Sequence, residues 1–196
     1  SLFLASKVPQ NDLGYDRLLY HVEQSMQRLQ TDYLDLYMIH WPAEERHTEA
    51  WRRLDRETWR AMERLYEQGV LRAIGVSNFM PHHLLSLFAT ANIRPMVNEL
   101  EFHPGYTQDY AVDFCQRNDI VIEGWSPIGR GKLLKLPLLQ EMSVRYGKSP
   151  AQICIRFALQ RNVLPLPKST TRERMLENLD VFDFKLSEDD ISRLAT

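Results

Sequence analysis

Tyr33-Leu34-Asp35-Leu36-Tyr37-Met38-Ile39-His40-Trp41-Pro42 is the stretch on which the fold turns. Leu34, Leu36, Met38 and Ile39, with tyrosines between them, form an almost unbroken apolar run, the pattern of a parallel strand buried on both faces by helices or by barrel closure. Pro42 ends the run, since proline restricts the residue before it and cannot donate to a ladder. His40 and Trp41 therefore stand where a strand gives way to a loop, and in a (β/α) barrel that end carries the chemistry.

Working outward, the same punctuation repeats. Upstream, Leu2 to Ser6 reads as a strand with Lys7 at its end, followed by a helix whose apolar stripe is Tyr15, Leu18, Leu19, Val22, Met26 and Leu29. Downstream, Trp41 to about Leu54 reads as a charged, irregular loop. Trp59, Met62, Leu65 and Tyr66 then mark a helix capped by Gly69. Further strands are read at Leu71 to Val76, Met96 to Leu100, Ile120 to Trp125 and Val163 to Leu166, with helices between and after them. Ser149-Pro150 opens one helix, and Thr170 with Glu173 has capping-box spacing for another.

Strand-then-helix order without a hairpin signal predicts an α/β fold with a parallel sheet. No Gly-x-Gly-x-x-Gly follows a strand, which disfavours the open dinucleotide-binding sheet and leaves most of a (β/α) barrel. The chain has 196 residues, against ~250 for a whole eight-fold barrel. It opens inside a strand, so an N-terminal portion is expected to be missing, and residues 1–196 are read as a single domain.

Composition narrows the function classes. Lysine and arginine number 24 against 26 acidic residues, a net charge of -2, which disfavours a general nucleic-acid binder or a polybasic membrane-surface protein. No apolar run approaches membrane-spanning length, and no signal sequence is visible. Cys115 and Cys154 are the only cysteines. They make neither a disulfide framework nor a metal quartet and suit a reducing compartment.

Several strand ends carry groups fit for chemistry. End residues of adjacent parallel strands lie close enough to bridge one small molecule. Lys7 and His40 could act on one carbonyl, imidazole donating a hydrogen bond to its oxygen and ammonium stabilising developing negative charge. Equally, Lys7 reads as a cationic strand end reaching solvent and His40 as a structural histidine. Trp41 walls a hydrophobic pocket or covers the rim. Ser77-Asn78 offers two short polar side chains that fix a ligand or cap the next helix. Trp125-Ser126 sets an indole fit for stacking on a planar ring beside a hydroxyl fit for a phosphate.

Glu99-x-Glu101-x-His103 reads as a strand end of mixed facing rather than a ligand set, and no metal site is expected. His82 and His83 at a helix start read as surface residues. Lys168-Ser169-Thr170-Thr171-Arg172-Glu173-Arg174 is the strongest physical signal, because hydroxyls, cations and a helix N-terminus converge after the last strand as an anion site. Ordinary capping with a solvated charge run is the plain alternative.

Taken together, the chain resembles the aldo-keto reductase superfamily. The motifs are Leu4-Ala5-Ser6-Lys7, the 32–42 stretch, Gly75-Val76-Ser77-Asn78-Phe79, Val97-Asn98-Glu99-Leu100-Glu101-Phe102-His103-Pro104, Trp125-Ser126-Pro127-Ile128-Gly129-Arg130-Gly131, and Pro167-Lys168-Ser169-Thr170-Thr171 through Asn178.

The resemblance implies a (β/α)8 TIM barrel, of which about six βα units are present and the N-terminal two are lacking. It also implies metal-free reduction of aldehydes and ketones with NADPH, less often NADH. Of the family's aspartate, tyrosine, lysine and histidine, Lys7 and His40 match the last two. The aspartate and tyrosine would lie upstream, and no tyrosine of this chain is promoted in their place. Ser77, Asn78 and Glu99 look like the nicotinamide-holding set. Glu99 stands where the family usually has glutamine, and a carboxylate accepts from the carboxamide but does not donate to it.

Trp125 resembles the stacking aromatic, while Ser126, Ile128 and the following glycine loop would pass the pyrophosphate. Lys168, Ser169 and Arg174 resemble the ribose-phosphate recogniser, with Glu177 and Asn178 toward the adenine. Two cations there favour NADPH by charge complementarity. Trp41 resembles a substrate-pocket wall. The implied partner is a small-molecule carbonyl in a cytoplasmic monomer or weak homo-oligomer, without nucleic acid or membrane. The rival reading is a cofactor-binding, reductase-like regulatory or interaction module with little turnover.

Overall fold

The computed structural model describes residues 2–44 and 50–196. The chain divides into two compact units, Ser1–Glu99 with Phe114–Ile120, and Leu100–Asp113 with Val121–Thr196.

The first unit repeats a strand-helix step three times and ends in a fourth strand. Its elements are β1 (Ala5–Val8), α1 (Tyr15–Leu29), β2 (Leu36–Ile39), α2 (Ala50–Glu67), β3 (Ile74–Ser77), α3 (Pro81–Phe88) and the start of β4 (Val97–Glu101). The four strands pair in sequence order and all run parallel, with Lys7 opposite Met38, Met38 opposite Gly75, Gly75 opposite Val97 and Ser77 opposite Glu99. Residues opposite one another in a parallel ladder share a face, so Lys7, Met38, Gly75, Ser77, Val97 and Glu99 line one side. Ser6 and Tyr37 line the other, toward α1 and its Ser25.

Every residue of β2 and β3 is buried, as the near-continuous apolar runs predict for strands covered on both faces. Bare Gly75 permits the close approach on the Lys7 side. A Cβ added there would lie 2.8 Å from the Val97 carbonyl oxygen and 3.3 Å from Met38 Cγ.

Helix α2 packs its stripe of Trp59, Ala61 and Met62 into the core. Two carboxylates interrupt that stripe, and each serves a loop. Asp55 accepts from the Ala43 amide at 2.9 Å, while Glu63 accepts from the amides of Asn92 and Ile93 at 2.7 and 2.8 Å before β4. Trp59 Nε1 donates to the Ile93 carbonyl at 2.9 Å in the same turn. Buried backbone groups of loops need such partners, and α2 supplies them.

The second unit takes in the end of β4, then β5 (Val121–Trp125), α5 (Pro137–Tyr146), α6 (Pro150–Gln160), β6 (Val163–Leu166), α7 (Arg172–Leu179) and α8 (Glu188–Ala195). α4 (Asp109–Arg117) runs from this unit into the first. β5 and β6 pair in parallel, from Ile122 opposite Val163 to Trp125 opposite Leu166. Phe102 at the end of β4 donates its amide to the Trp125 carbonyl at 3.2 Å. Buried Asp190 ties α8 to α5 through Arg145 at 2.7 Å and Tyr146 Oη at 2.6 Å.

Element boundaries differ from the sequence reading by a few residues. β1 is Ala5–Val8 rather than Leu2 to Ser6, so Lys7 lies inside the strand; β3 begins at Ile74, and Leu71 instead bridges Leu34. The loop expected over Trp41 to Leu54 is shorter, because α2 starts at Ala50. Its residues 45–49 lie outside the described part of the chain. Among the described residues no helix is long and apolar enough to cross a membrane.

Candidate active site

In the first unit Lys7, Glu99 and His40 form one electrostatic cluster. Lys7 Nζ lies 2.9 Å from Glu99 Oε2, and the carboxylate side chain is 9% exposed against 27% for the lysine. β1 and β4 are three strand spacings apart, about 14 Å if the sheet were flat. Side chains that far apart meet only where the sheet curves toward them, so this face of the unit is concave.

His40 follows β2, its amide donating to the Val8 carbonyl at 3.1 Å. Burial, then the neighbouring Lys7 charge, holds its imidazole below the ordinary histidine range, with Glu99 pulling the other way. A neutral imidazole is the form that donates a hydrogen bond to a carbonyl without surrendering a proton.

The β3 terminus fixes this arrangement. Asn78 adopts a left-handed backbone, φ 62°, which asparagine tolerates better than most residues. The turn lets its amide N–H reach the Glu99 carbonyl at 2.9 Å, and its side-chain amide donates to the His40 carbonyl and Ser77 Oγ, each at 3.0 Å. Ser77, wholly buried, donates its hydroxyl to the Glu99 carbonyl at 3.0 Å. The two residues thus join the ends of β2 and β3 to the middle of β4. Trp41 is 43% exposed beside His40. The loop carrying it is held by Gln10 Nε2, which donates to the Pro42 carbonyl at 2.6 Å, and by Asp55.

Tyr37, one residue from the Lys7-facing Met38, points to the opposite, helix-covered face. Burial pushes its phenol up to about 12, with Ser25 pulling weakly against this.

The second unit holds a cavity of about 240 Å³. It gathers Ile128, Lys168, Ser169, Arg174, Glu177 and Asn178, all of them singled out in the sequence, from the loop after β5 and the loop and helix after β6. Two cations, two serines, an amide and the Glu177 carboxylate line it together with apolar Ile128 and Leu134, a mixture that suits a phosphorylated ligand carrying an apolar portion with polar edges. Trp125 ends β5 and Ser126 follows it with φ 53°, a second non-glycine left-handed residue directly after a strand. Such backbone cost concentrates where a loop is held for function.

The cap of α7 differs from the sequence reading. Thr171, not Thr170, is the N-cap, and its side chain makes no capping bond; Ser169 Oγ instead accepts from the Thr171 amide at 3.3 Å. The capping box occurs at α6, where Ser149 Oγ accepts from the Gln152 amide and Gln152 Oε1 from the Ser149 amide. His83 is buried rather than on the surface, accepting at Nδ1 from the Met80 amide at 3.0 Å.

Sequence reasoning also missed Gln152 and Asp55. Gln152 donates to the carbonyls of Glu177 and Asp180 at 3.2 and 2.7 Å and so places the α7 side of the cavity. The available signal was a polar side chain within an apolar helical stripe. Among the described residues no group of three or more histidine, cysteine, aspartate or glutamate side chains is gathered as a metal site.

Comparison with known proteins agrees along the whole chain. The aldo/keto reductase family model matches residues 1–196. The glyoxal reductase of Bacillus subtilis is 46% identical over 193 residues, covering 98% of this chain and 67% of that protein. A crystal structure of an aldo/keto reductase from Brucella melitensis superposes with a TM-score of 0.90 at 39% identity, over 99% of this chain and 72% of the other. A variant of Gox0644 crystallised in complex with NADPH does so with a TM-score of 0.90 at 36% identity, over 98% and 69%. The chain spans about two thirds of the length of the curated relatives it matches. The six parallel strands with their helices are thus part of a (β/α)8 fold.

Proposed function

The chain belongs to the aldo/keto reductase family, and from that premise we propose that the protein reduces an aldehyde or ketone to an alcohol with NADPH. The observation that carries this reading is the clustering of Lys7, Glu99 and the low-titrating His40 on one concave face. Bound NADPH would supply the hydride.

His40 would donate an N–H to the carbonyl oxygen, orienting it and stabilising the charge that grows there. Lys7 would present positive charge to the same oxygen and to the proton donor. The resemblance assigns that donor to a tyrosine outside this chain. Trp41 would flank the carbonyl as an apolar wall.

The residues of the second-unit cavity fit the phosphorylated end of the cofactor. Lys168, Ser169 and Arg174 would hold the ribose phosphate, with Glu177 and Asn178 beside the adenine. Ser77, Asn78, Glu99, Trp125, Ser126 and Ile128 would serve the nicotinamide and pyrophosphate. Paired cations favour NADPH over NADH. Both cysteines are free and buried, with burial pushing the thiols up, Cys154 to about 12; unreactive thiols of this kind suit a cytoplasmic protein.

The relative named glyoxal reductase makes small dicarbonyls the first substrates to try, alongside simple aldehydes and ketones. The test is NADPH oxidation by the full-length protein across that panel. Turnover supports the reading; bound NADPH without turnover of any carbonyl replaces it with a cofactor-binding module.

A further inference from the structure

We propose that Gln152 is a positioning residue for the adenine end of the cofactor, acting through Glu177 and Asn178 by bracing α7 against α6. The proposal rests on the reductase reading and deepens it. α7 is eight residues long, and its N-cap side chain makes no capping bond. So short a helix does not hold itself in water, and its last carbonyls have no partner within it. Gln152, 5% exposed on α6, supplies one. Its Nε2 donates to the Glu177 and Asp180 carbonyls at 3.2 and 2.7 Å, while its Oε1 accepts from the Ser149 amide at 2.9 Å. One side chain thus closes the start of α6 and the end of α7. Both ends line the cavity, α6 through Ser149, Pro150 and Ala151 and α7 through Glu177 and Asn178.

Gln152 is also the first rung of a longer brace. Four-residue spacing puts Gln152, Arg156 and Gln160 on one face of α6. Arg156 donates to the Val181 carbonyl at 3.2 Å, and Gln160 exchanges two bonds with the Leu186 backbone at 3.1 and 2.7 Å. Just before α6, Lys148 pairs with the Asp180 and Asp183 carboxylates at 2.9 and 2.7 Å. The segment from Glu177 to Leu186 is therefore fastened along α6, wholly within the second unit. Of the three α6 rungs, Gln152 alone bonds a residue that lines this cavity, whereas Gln160 meets the backbone eight positions beyond Asn178.

That difference separates positioning from plain stability. Without Gln152, the Glu177 and Asn178 side chains and their turn must be ordered at the moment of binding, which weakens a ligand about 5- to 50-fold. NADPH and NADH share the adenine, so in full-length Gln152→Met both dissociation constants, read from nicotinamide fluorescence, should rise by the same factor. Gln160→Met should lower Tm as much, since it too removes buried hydrogen bonds, yet leave both constants within about twofold. Gln152→Glu keeps the acceptor for Ser149 and loses the donor to α7, and it serves if the methionine variant does not fold. It should weaken NADH as Gln152→Met would, and NADPH further, because its new charge opposes the additional phosphate.

Unchanged dissociation constants in the Gln152 variants overturn the proposal and leave the brace a matter of stability. Equal weakening in Gln160→Met overturns it as well, and so does a loss in Gln152→Met confined to NADPH, which would place the effect on the phosphate. A wild type that binds neither nucleotide defeats the cofactor reading itself, and is recognised before any variant is made.

Discussion

The side-chain amide of Asn78 donates to the backbone carbonyl of His40 at 3.0 Å, so the end of β3 holds the residue that ends β2. A histidine at a strand terminus has few constraints of its own, since half of its backbone partners lie in the loop. Asn78 supplies one, and its left-handed backbone, φ 62°, is what brings the amide within reach.

Asn78→Gly keeps that backbone accessible and deletes the amide, whereas Asn78→Ala deletes the amide and strains the turn by about 1 kcal/mol. Both variants are expected to lose about 10-fold or more in kcat/KM through a less ordered His40. Both should lower Tm through the lost hydrogen bonds, the alanine variant further because of the strained turn, as measured by circular dichroism. Unchanged kcat/KM in Asn78→Gly would remove Asn78 from the positioning of His40.

The titration of His40 gives a signed test. Its folded value is held below the ordinary 6.5 by burial and by Lys7, against a smaller upward pull from Glu99. The folded protein therefore binds fewer protons than the unfolded chain between the depressed value and 6.5. The contribution of His40 to stability is fully present above 6.5 and is lost as pH falls through the folded value. Imidazole resonances followed by NMR should titrate below 6.5, move up in Lys7→Met and move further down in Glu99→Gln.

Lys168→Ala and Arg174→Ala test the cavity of the second unit. A charge-assisted hydrogen bond contributes about 1.5–3 kcal/mol, so each change should weaken NADPH about 10- to 100-fold. NADH, which lacks the ribose phosphate, should lose far less. Parallel losses for both nucleotides, read from fluorescence titrations, would place the two cations on some other part of the ligand.

Gly75→Ala tests the close packing beneath the Lys7–Glu99 pair. The added Cβ would sit 2.8 Å from the Val97 backbone oxygen, an atom held by the ladder and unable to turn aside. Overpacking of this kind costs about 1–3 kcal/mol, and urea unfolding should show a lower midpoint at unchanged slope. Gly124→Ala meets Cγ1 of buried, β-branched Val163 at 2.9 Å and Phe102 Cβ at 3.3 Å, and is expected to cost a similar amount.

Much of the architecture was legible in the sequence because it is written in local terms. Apolar runs ended by Pro42, Asn78 and Gly-rich loops gave strand order and parallel sense. Helical stripes gave the elements between them. Strand limits slipped by up to three residues, as with β1 and β3, because a ladder ends where its neighbour ends and not where hydrophobicity does. The cap of α7 lies at Thr171 rather than Thr170, and its side chain makes no capping bond, so residue spacing alone did not mark it.

By itself, the sequence determined which polar side chains stand on or just after strands, and so which of them were candidates: Lys7, His40, Ser77, Asn78, Glu99 and the cations after β6. It also determined the family, through motifs whose spacing is a property of the chain. Tertiary structure alone decided the partners. Glu99 lies 92 positions from Lys7 in sequence and three strands away in the ladder. Only the curvature of the sheet closes that distance, because curvature comes from twist and packing summed over all four strands and leaves no mark on any single stretch of residues.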